Sequence, residues 1–539
     1  MTDALATKAD SSTLNIYVTT NEMNTALASK ADASTTATKI YVDEKIAAIP
    51  TTGGEGGAAS SLDLGDENSG KIVVVGDDGN ITSGIVSEDD IIEALIVSGG
   101  YTAKDALGLE VDYENKTFIR TQEAVDKEMG TAFDAYRMFG GRKRCNVSDN
   151  GEITAFYGDA NYAEDGSNGQ VMVYQPKFYY QRIPISTTSN RIGKTIMRDS
   201  IIISTTPQSG FKVHPIFVTP ADEELDYVLF SAYEGGVEDV SEHTYATTTA
   251  TNIDFAQDKL TSIVNTKPVT GSSGLSLQKA EQLANNRGAG WHIHNIKAES
   301  ANQILEIVEF GTLNGQTALG KGICNLNNTG DANAAALTGS TAALGNASGI
   351  AAQTTVENSG TTEVTTDEDK LAISYRGVEN PWGNVWQMLN GILIVGDTTM
   401  NGGIPCICTN DNYSYTIVTN DYERVDFSLP NTSGWVSAFG FGNKKYDWLF
   451  MPADCNSSAN SALPIGDSGW FDANLNGVRM VVQGGGWSFN ESDGLFYYGC
   501  DKQPTDSAYR SYGARLLYIP TKNSIYTANI AKWQQVMGA

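Results

Sequence analysis

The sequence predicts an α+β head behind a narrow N-terminal stalk, on three observations. Residues 1–50 repeat a polar, helix-favouring unit with too few apolar positions to fold as a monomer. From residue 109 onward, short segments with apolar alternation and many β-branched or aromatic residues read as strands. Two stretches, Leu275 to Asn286 and about Lys297 to Phe310, keep the spacing of amphipathic helices.

Taken in order, ALATKAD at 4–10 returns as ALASKAD at 26–32, and IYVTTNEM at 16–23 returns loosely as IYVDEKIA at 40–47. Gly is absent from 1–50, so the region reads as a short, interrupted coiled coil, most simply trimeric, with a floppy tail as the alternative. Pro50 ends it, and TTGGEGGAASS opens a flexible linker over 51–69. A small β module follows at 70–108, with strands over 70–86 around a turn at Asp78-Gly79 and a short helix near Glu88 to Ile96.

The head spans 109–520, a β-rich part at 109–260 and a core at 261–520, and leaves 521–539 as a tail. Segment 123–139 can form an amphipathic helix through Ala124, Met129, Phe133, Tyr136 and Phe139. Strands are expected in 170–185, 200–204, 211–218 and 225–235. Ser276 caps the first long helix, and Ala301, Ile304, Leu305 and Val308 face one side of the second. The stretch 325–366 is almost all Ala, Gly, Ser, Thr and Asn, which predicts a long surface loop without a core.

Composition bounds the function. The 539 residues carry 36 Lys plus Arg against 64 Asp plus Glu, a net charge of −28 that opposes general binding to nucleic acid or anionic lipid. The basic triplet Arg142, Lys143 and Arg144 is expected to be solvated or paired within the subunit. No apolar run reaches the roughly 18 residues of a membrane span, and the polar start carries no signal peptide. The six cysteines show no CxxC spacing and read as isolated thiols; Cys406 and Cys408 would share a strand face. His292 and His294 could serve a metal by spacing, but no further ligands accompany them, and neither a metal nor any other cofactor is expected. No serine elbow, HExxH or Walker loop is present.

The last quarter organises the chain. Met480, Val481 and Val482 run into three glycines and Trp487; some thirty residues later Leu516 to Ile519 run into Pro520. Between these strand-like ends lies an aromatic and polar rim, framed by Gly-Gly-Trp, Gly-Leu-Phe-Tyr and Gly-Ala-Arg-Leu, while upstream GVENPWGNVWQMLNGI occupies 377–392. Together these motifs resemble the C-type-lectin-like fold in its formylglycine-generating-enzyme-like branch, as used by phage receptor-binding tail proteins and by the variable proteins of diversity-generating retroelements.

The resemblance implies a C-type-lectin-like head with two helices and mixed β-sheets. It implies a phage virion tail fibre or receptor-binding protein, made in the host cytoplasm and acting outside the cell. Its partners would be two further copies in a homotrimer, other tail or baseplate proteins through the N-terminus, and a bacterial surface receptor. A structural baseplate or fibre connector without receptor contact is the alternative.

The family's oxidase activity needs a cysteine pair after the GGGWSF strand; those positions read Asn490, Glu491, Ser492 and Asp493, so no enzyme is expected. Glu379-Asn380-Pro381 has the letters of a lectin calcium triplet in another order, and calcium is not carried over. Trp487, Leu495, Phe496 and Tyr497 match framing positions and read as core. Phe489, Asn490, Glu491, Tyr498, Cys500, Lys502, Tyr509, Arg510, Ser511 and Tyr512 match positions that vary in retroelement-diversified relatives, and are the expected receptor contacts. Tyr498, Cys500 and Lys502 alternate along one strand and so share a face.

Overall fold

The computed structural model describes residues 71–75, 81–87, 92–93, 95–96 and 101–538, except 328–332, 359, 397–401, 412, 414, 416–420, 457–469 and 507–508. The expected coiled coil, the linker and the Asp78-Gly79 turn lie outside the described residues. The chain divides into two units, one of residues 1–104 with 207–212 and one of 105–206 with 213–539. In the first, Lys71–Val75 and Ile81–Ser87 pair antiparallel as the expected hairpin.

The second unit is mostly β-sheet with few helices, consistent with the expected C-type-lectin-like head. One six-stranded sheet runs Trp291–Ile293, Leu516–Tyr518, Tyr227–Ser231, Gln170–Pro176, Lys143–Val147, Ile153–Phe156. Its strands Gln170–Pro176 and Tyr227–Ser231 are buried along their whole length, so the expected strand in 170–185 carries the unbroken apolar run Val171 to Tyr174 in place of an alternation. A second runs Tyr422–Arg424, Gly403–Cys408, Trp386–Gly396, Gly477–Gly484, Gly494–Gly499. Tyr512–Gly513 adds to it in parallel, opposite Trp386 and Gln387. A third sheet carries the long hairpin Tyr179–Ser189 and Lys194–Ser204 together with Gly434–Phe441, Pro452–Asn456 and Trp470–Phe471.

Both expected helices are present. Leu277–Asn285 is capped by Ser276, whose side chain accepts from the Lys279 amide. Ile296–Phe310 is capped by Asn295 and ends at Gly311, whose φ of 68° supplies the left-handed exit. The second helix is buried nearly all round, with Ala301, Ile304, Leu305 and Val308 in the main core and Glu299, Glu306 and Glu309 buried beside them.

Four expectations need correction. No helix spans 123–139: only a 3-10 turn at Thr131–Phe133 and a single turn at Arg137–Gly140 form, because Gly130 at φ 102° and extended Tyr136 interrupt the path. Segment 211–218 is not a strand throughout, since Pro215 has no amide to donate to a ladder and opens a 3-10 turn to Phe217. The small-residue stretch 325–366 does build a core: Leu326, Ala334, Ala335, Ala336, Ala351 and Val356 pack with Trp487, and Thr354–Asn358 pairs with Thr361–Thr365. Residues 521–539 are no loose tail; Ser524–Met537 is a helix whose Trp533 stacks on Tyr174 at 5.1 Å and whose Tyr526 stacks on Tyr227 at 5.1 Å.

Of the basic triplet, Arg144 is fully buried and paired internally, donating to the Tyr233 hydroxyl at 2.9 Å and to the Gly377 carbonyl at 2.9 Å. All six cysteines are free thiols. Cys406 and Cys408 do share a face, packed with Leu393 and Tyr422.

Candidate functional site

Two places in the head concentrate polar chemistry. The first lies inside it. Arg376 makes a two-pronged pair with Glu309, Nε to Oε2 at 2.7 Å and Nη2 to Oε1 at 2.7 Å, with both side chains buried. Glu309 also accepts from the Tyr375 hydroxyl at 2.8 Å. Beside it a cavity of about 10 Å³, the room of one water, is lined by His294, Glu299, Asn302, Glu306, Gln387 and Arg515 among others. Burial, reinforced by Glu299, holds the Glu306 carboxyl well above the usual range, and burial pulls the His294 imidazole down.

The strand motifs converge on this interior. Arg515 of the Gly-Ala-Arg-Leu segment donates to the carbonyls of Glu379 at 3.0 Å and Asn380 at 2.8 Å. The Glu379 carboxylate accepts from the amides of Gly339 at 2.8 Å and Thr341 at 2.7 Å. Glu234 accepts from Asn380 at 3.2 Å, from Gln387 at 3.4 Å and from Asn384, yet burial pushes its carboxyl up to about 8. The Glu-Asn-Pro and Gly-Asn-Val-Trp motifs are therefore spent on joining elements of the fold.

His292, on the strand Trp291–Ile293, and His294, just beyond its end, are taken up by different carboxylates. His292 Nδ1 lies 2.7 Å from Glu281 Oε1, and His294 Nε2 lies 3.2 Å from Glu299 Oε2. Among the described residues no group of three or more His, Cys, Asp or Glu could hold a metal ion.

The second place is the edge formed by the 489–512 segment, and it is built on Trp386. This tryptophan begins the central strand Trp386–Gly396 and is itself buried; among the described residues its Nε1 has no hydrogen-bond partner. Phe489 stands against its ring at 5.3 Å, Tyr497 at 4.5 Å and Tyr512 at 5.8 Å, and Tyr509 continues the row from Tyr512 at 5.9 Å. Phe489 and Tyr497 are half-buried, and Tyr509 is 47% exposed. Exposed Asn490, Glu491 and Asp501 and half-buried Lys502 and Arg510 belong to the same segment. Lys502 lies 3.7 Å from Asp501, and the Arg510 guanidinium lies 5.9 Å from the Tyr509 ring centre.

The backbone beneath this edge is fixed by the glycine run. Gly484 and Gly485 take φ of 98° and 82°, and Asp493 Oδ1 accepts from the Gly486 amide at 3.0 Å. A Cβ on Gly485 would collide with that carboxylate. Asn490, at φ 54°, turns the chain in a conformation asparagine tolerates.

The ten expected contacts divide between surface and core. Phe489, Asn490, Glu491, Lys502, Tyr509 and Arg510 have exposed or half-buried side chains. Tyr498, Cys500, Ser511 and Tyr512 are buried, which corrects the expectation that they form an open rim. Tyr498 is 2% exposed, with its hydroxyl accepting from Gln303 Nε2 of the helix Ile296–Phe310 at 2.5 Å. Cys500 joins the main core, where burial pushes its thiol above the ordinary range. Ser511 gives its carbonyl to the Trp386 amide at 2.9 Å, and Tyr512 donates to Asp501 Oδ1 at 2.7 Å from a 7% exposed position. Tyr498 and Cys500 do alternate together, but their shared face is the inner one.

Sequence reasoning placed Tyr497 in the core and passed over Trp386 and Asp501 as parts of this edge. A signal was available: Tyr497 sits one residue from Tyr498, so whichever of the two is inward leaves the other outward.

No family model matches the chain, and no curated protein matches it. Solved structures it is similar to include three variants of one protein. The Major Tropism Determinant P3c Variant shares 12% identity over 86% of this chain and 95% of its own, with a TM-score of 0.24. The M1 Variant shares 11% over 84% and 92%, with a TM-score of 0.23, and the U1 Variant 12% over 83% and 94%, with a TM-score of 0.23. Among the described residues no helix is long and apolar enough to cross a membrane.

Proposed function

We propose that the chain is a virion tail adhesin, in which a C-type-lectin-like head presents the Trp386-based edge to a molecule on a bacterial surface. One observation carries this reading: Phe489, Tyr497 and Tyr509 reach the surface as one aromatic row, bordered by Asn490, Glu491, Asp501, Lys502 and Arg510. Large aromatic groups with adjacent hydrogen-bonding and charged groups give much contact area for little ordering cost. The turn at Gly484 to Gly486 and the hydrogen-bonded inner residues Tyr498 and Tyr512 hold the row in one geometry, which spares the ordering cost at binding.

The head binds in this reading and does not catalyse. Burial pushes the Cys324 thiol, which lies in the chain against the 489–493 turn, up to about 12, so it is no thiolate nucleophile at neutral pH. Trimerisation through residues 1–50 would let three weak heads act together. The test is adsorption of the full-length protein to host cells. Phe489→Ala combined with Tyr509→Ala lowers adsorption at least about tenfold while the unfolding midpoint holds; unchanged adsorption would return the head to a connector role.

A further inference from the structure

Six polar atoms inside the head have no hydrogen-bond partner among the described residues, and the residues that carry them line one cavity. They are His294 Nδ1, Glu299 Oε1, Glu306 Oε2, Gln387 Oε1, Gln483 Oε1 and Arg515 Nη1. None of the six residues is more than 4% exposed. A single orphaned polar atom is ordinary in a protein of this size, but six around one small space call for a shared partner, because each has lost its water on folding.

The other ends of these side chains are already engaged. His294 Nε2 meets Glu299 Oε2 at 3.2 Å, Gln387 Nε2 donates to the Val385 carbonyl at 2.8 Å, and Gln483 Nε2 donates to the Leu495 carbonyl at 2.9 Å. Arg515 Nη2 holds the carbonyls of Glu379 and Asn380. Glu299 and Glu306 stand on the helix Ile296–Phe310, Gln387 and Gln483 on paired strands of one sheet, and Arg515 just before the strand Leu516–Tyr518 of another. The free atoms therefore reach the cavity from the helix and from both six-stranded sheets.

We propose that this cavity is a binding site for one resident water molecule, which ties the helix to both sheets from within. A space of about 10 Å³ holds a single water, and a buried water takes about two to four polar partners. Donors and acceptors match that occupant. Arg515 Nη1 supplies one hydrogen bond to the water oxygen, and Glu306 supplies a second, since burial and the neighbouring Glu299 keep its carboxyl well above the usual range and so protonated. The two water hydrogens then go to acceptors among Glu299, Gln387, Gln483 and His294. A metal ion fits worse, because the Arg515 guanidinium puts a fixed positive charge in the wall. Gln387 follows Trp386 and Gln483 precedes the glycine turn, so the water also steadies the strands behind the edge; the proposal itself does not rest on the adhesion reading.

Val378, in the same wall, gives the test in the full-length protein. If the space is a packing gap, Val378→Ile fills it and raises the urea midpoint; if it holds water, the change expels the water, strands the polar atoms and lowers the midpoint. Oxygen-17 magnetic relaxation dispersion, which counts waters held inside a protein, should show one fewer in the variant. Wild-type protein supplies a reading that does not depend on the variant folding: a high-resolution crystal structure should place one density peak about 2.7–3.2 Å from at least three of the six atoms. A raised midpoint, an unchanged dispersion or a cavity without density overturns the proposal. So does density at about 2.0–2.6 Å from the surrounding oxygens, the distances of a bound cation.

Discussion

The buried ionic interior and the Trp386 edge are built from overlapping motifs, yet they use them oppositely. Inside, Arg376, Glu309, Tyr375, Arg515 and Glu379 spend nearly every donor and acceptor on each other and on backbone groups. At the edge, Phe489 and Tyr497 lean on one buried tryptophan and Tyr509 on Tyr512, and all three leave part of each ring in solvent. The difference teaches that polar residues in this head mostly organise it, whereas its aromatic residues divide between holding the frame and facing outward.

The sharpest way to break the comparison is Glu309→Ala. It leaves the buried Arg376 guanidinium with a single carboxylate partner, the half-exposed Asp134, and it should cost about 3–5 kcal/mol, read as a lower urea midpoint. Gly485→Ala strikes where the two regions join. Its φ of 82° and the collision with Asp493 should cost about 1–3 kcal/mol and reduce adsorption along with stability, in contrast to an interior variant of equal cost.

A pH titration separates the regions by charge. The Glu234 carboxyl is raised from 4.5 to about 8 in the folded protein. Folding therefore favours the protonated form, and its contribution is full below the unfolded value and lost as pH rises through the folded one. Wild-type protein should lose stability relative to Glu234→Gln between about pH 5 and pH 8, measured as the difference in unfolding midpoint. Smaller still, Tyr498→Phe removes the bond to Gln303 and should cost about 1 kcal/mol without altering adsorption per folded molecule. Smallest in stability is Tyr509→Ala, expected within about 0.5 kcal/mol of wild type while adsorption falls.

The sequence made the head's two helices and most of its long strands legible, because Ser276 and the spacing of Ile304, Leu305 and Val308 are local signals. The edge was legible as a segment, but not residue by residue. Alternation assigned Tyr498 and Cys500 to one face without saying which face was covered, and only the helix Ile296–Phe310, nearly two hundred positions away, decides it. The small-residue stretch 325–366 misled for a related reason. Alanines carry no periodicity that announces burial, yet against the broad ring of Trp487 a methyl group is enough to fill the space. The C-terminal helix was missed because its apolar residues are few; stacking on Tyr174 and Tyr227 does the work that a wide apolar stripe does elsewhere.

That helix has a consequence for how the protein is made. Asn529 accepts from the amide of Ile153 at 2.9 Å, and the Trp533 indole donates to the Gly141 carbonyl at 2.8 Å, joining residues 376 and 392 positions apart. A ribosome must therefore deliver the chain as far as Trp533 before the sheet around Tyr174 can be closed off. Until then the nascent head has an open aromatic flank, so a product truncated before Trp533 stays visible to chaperones and proteases.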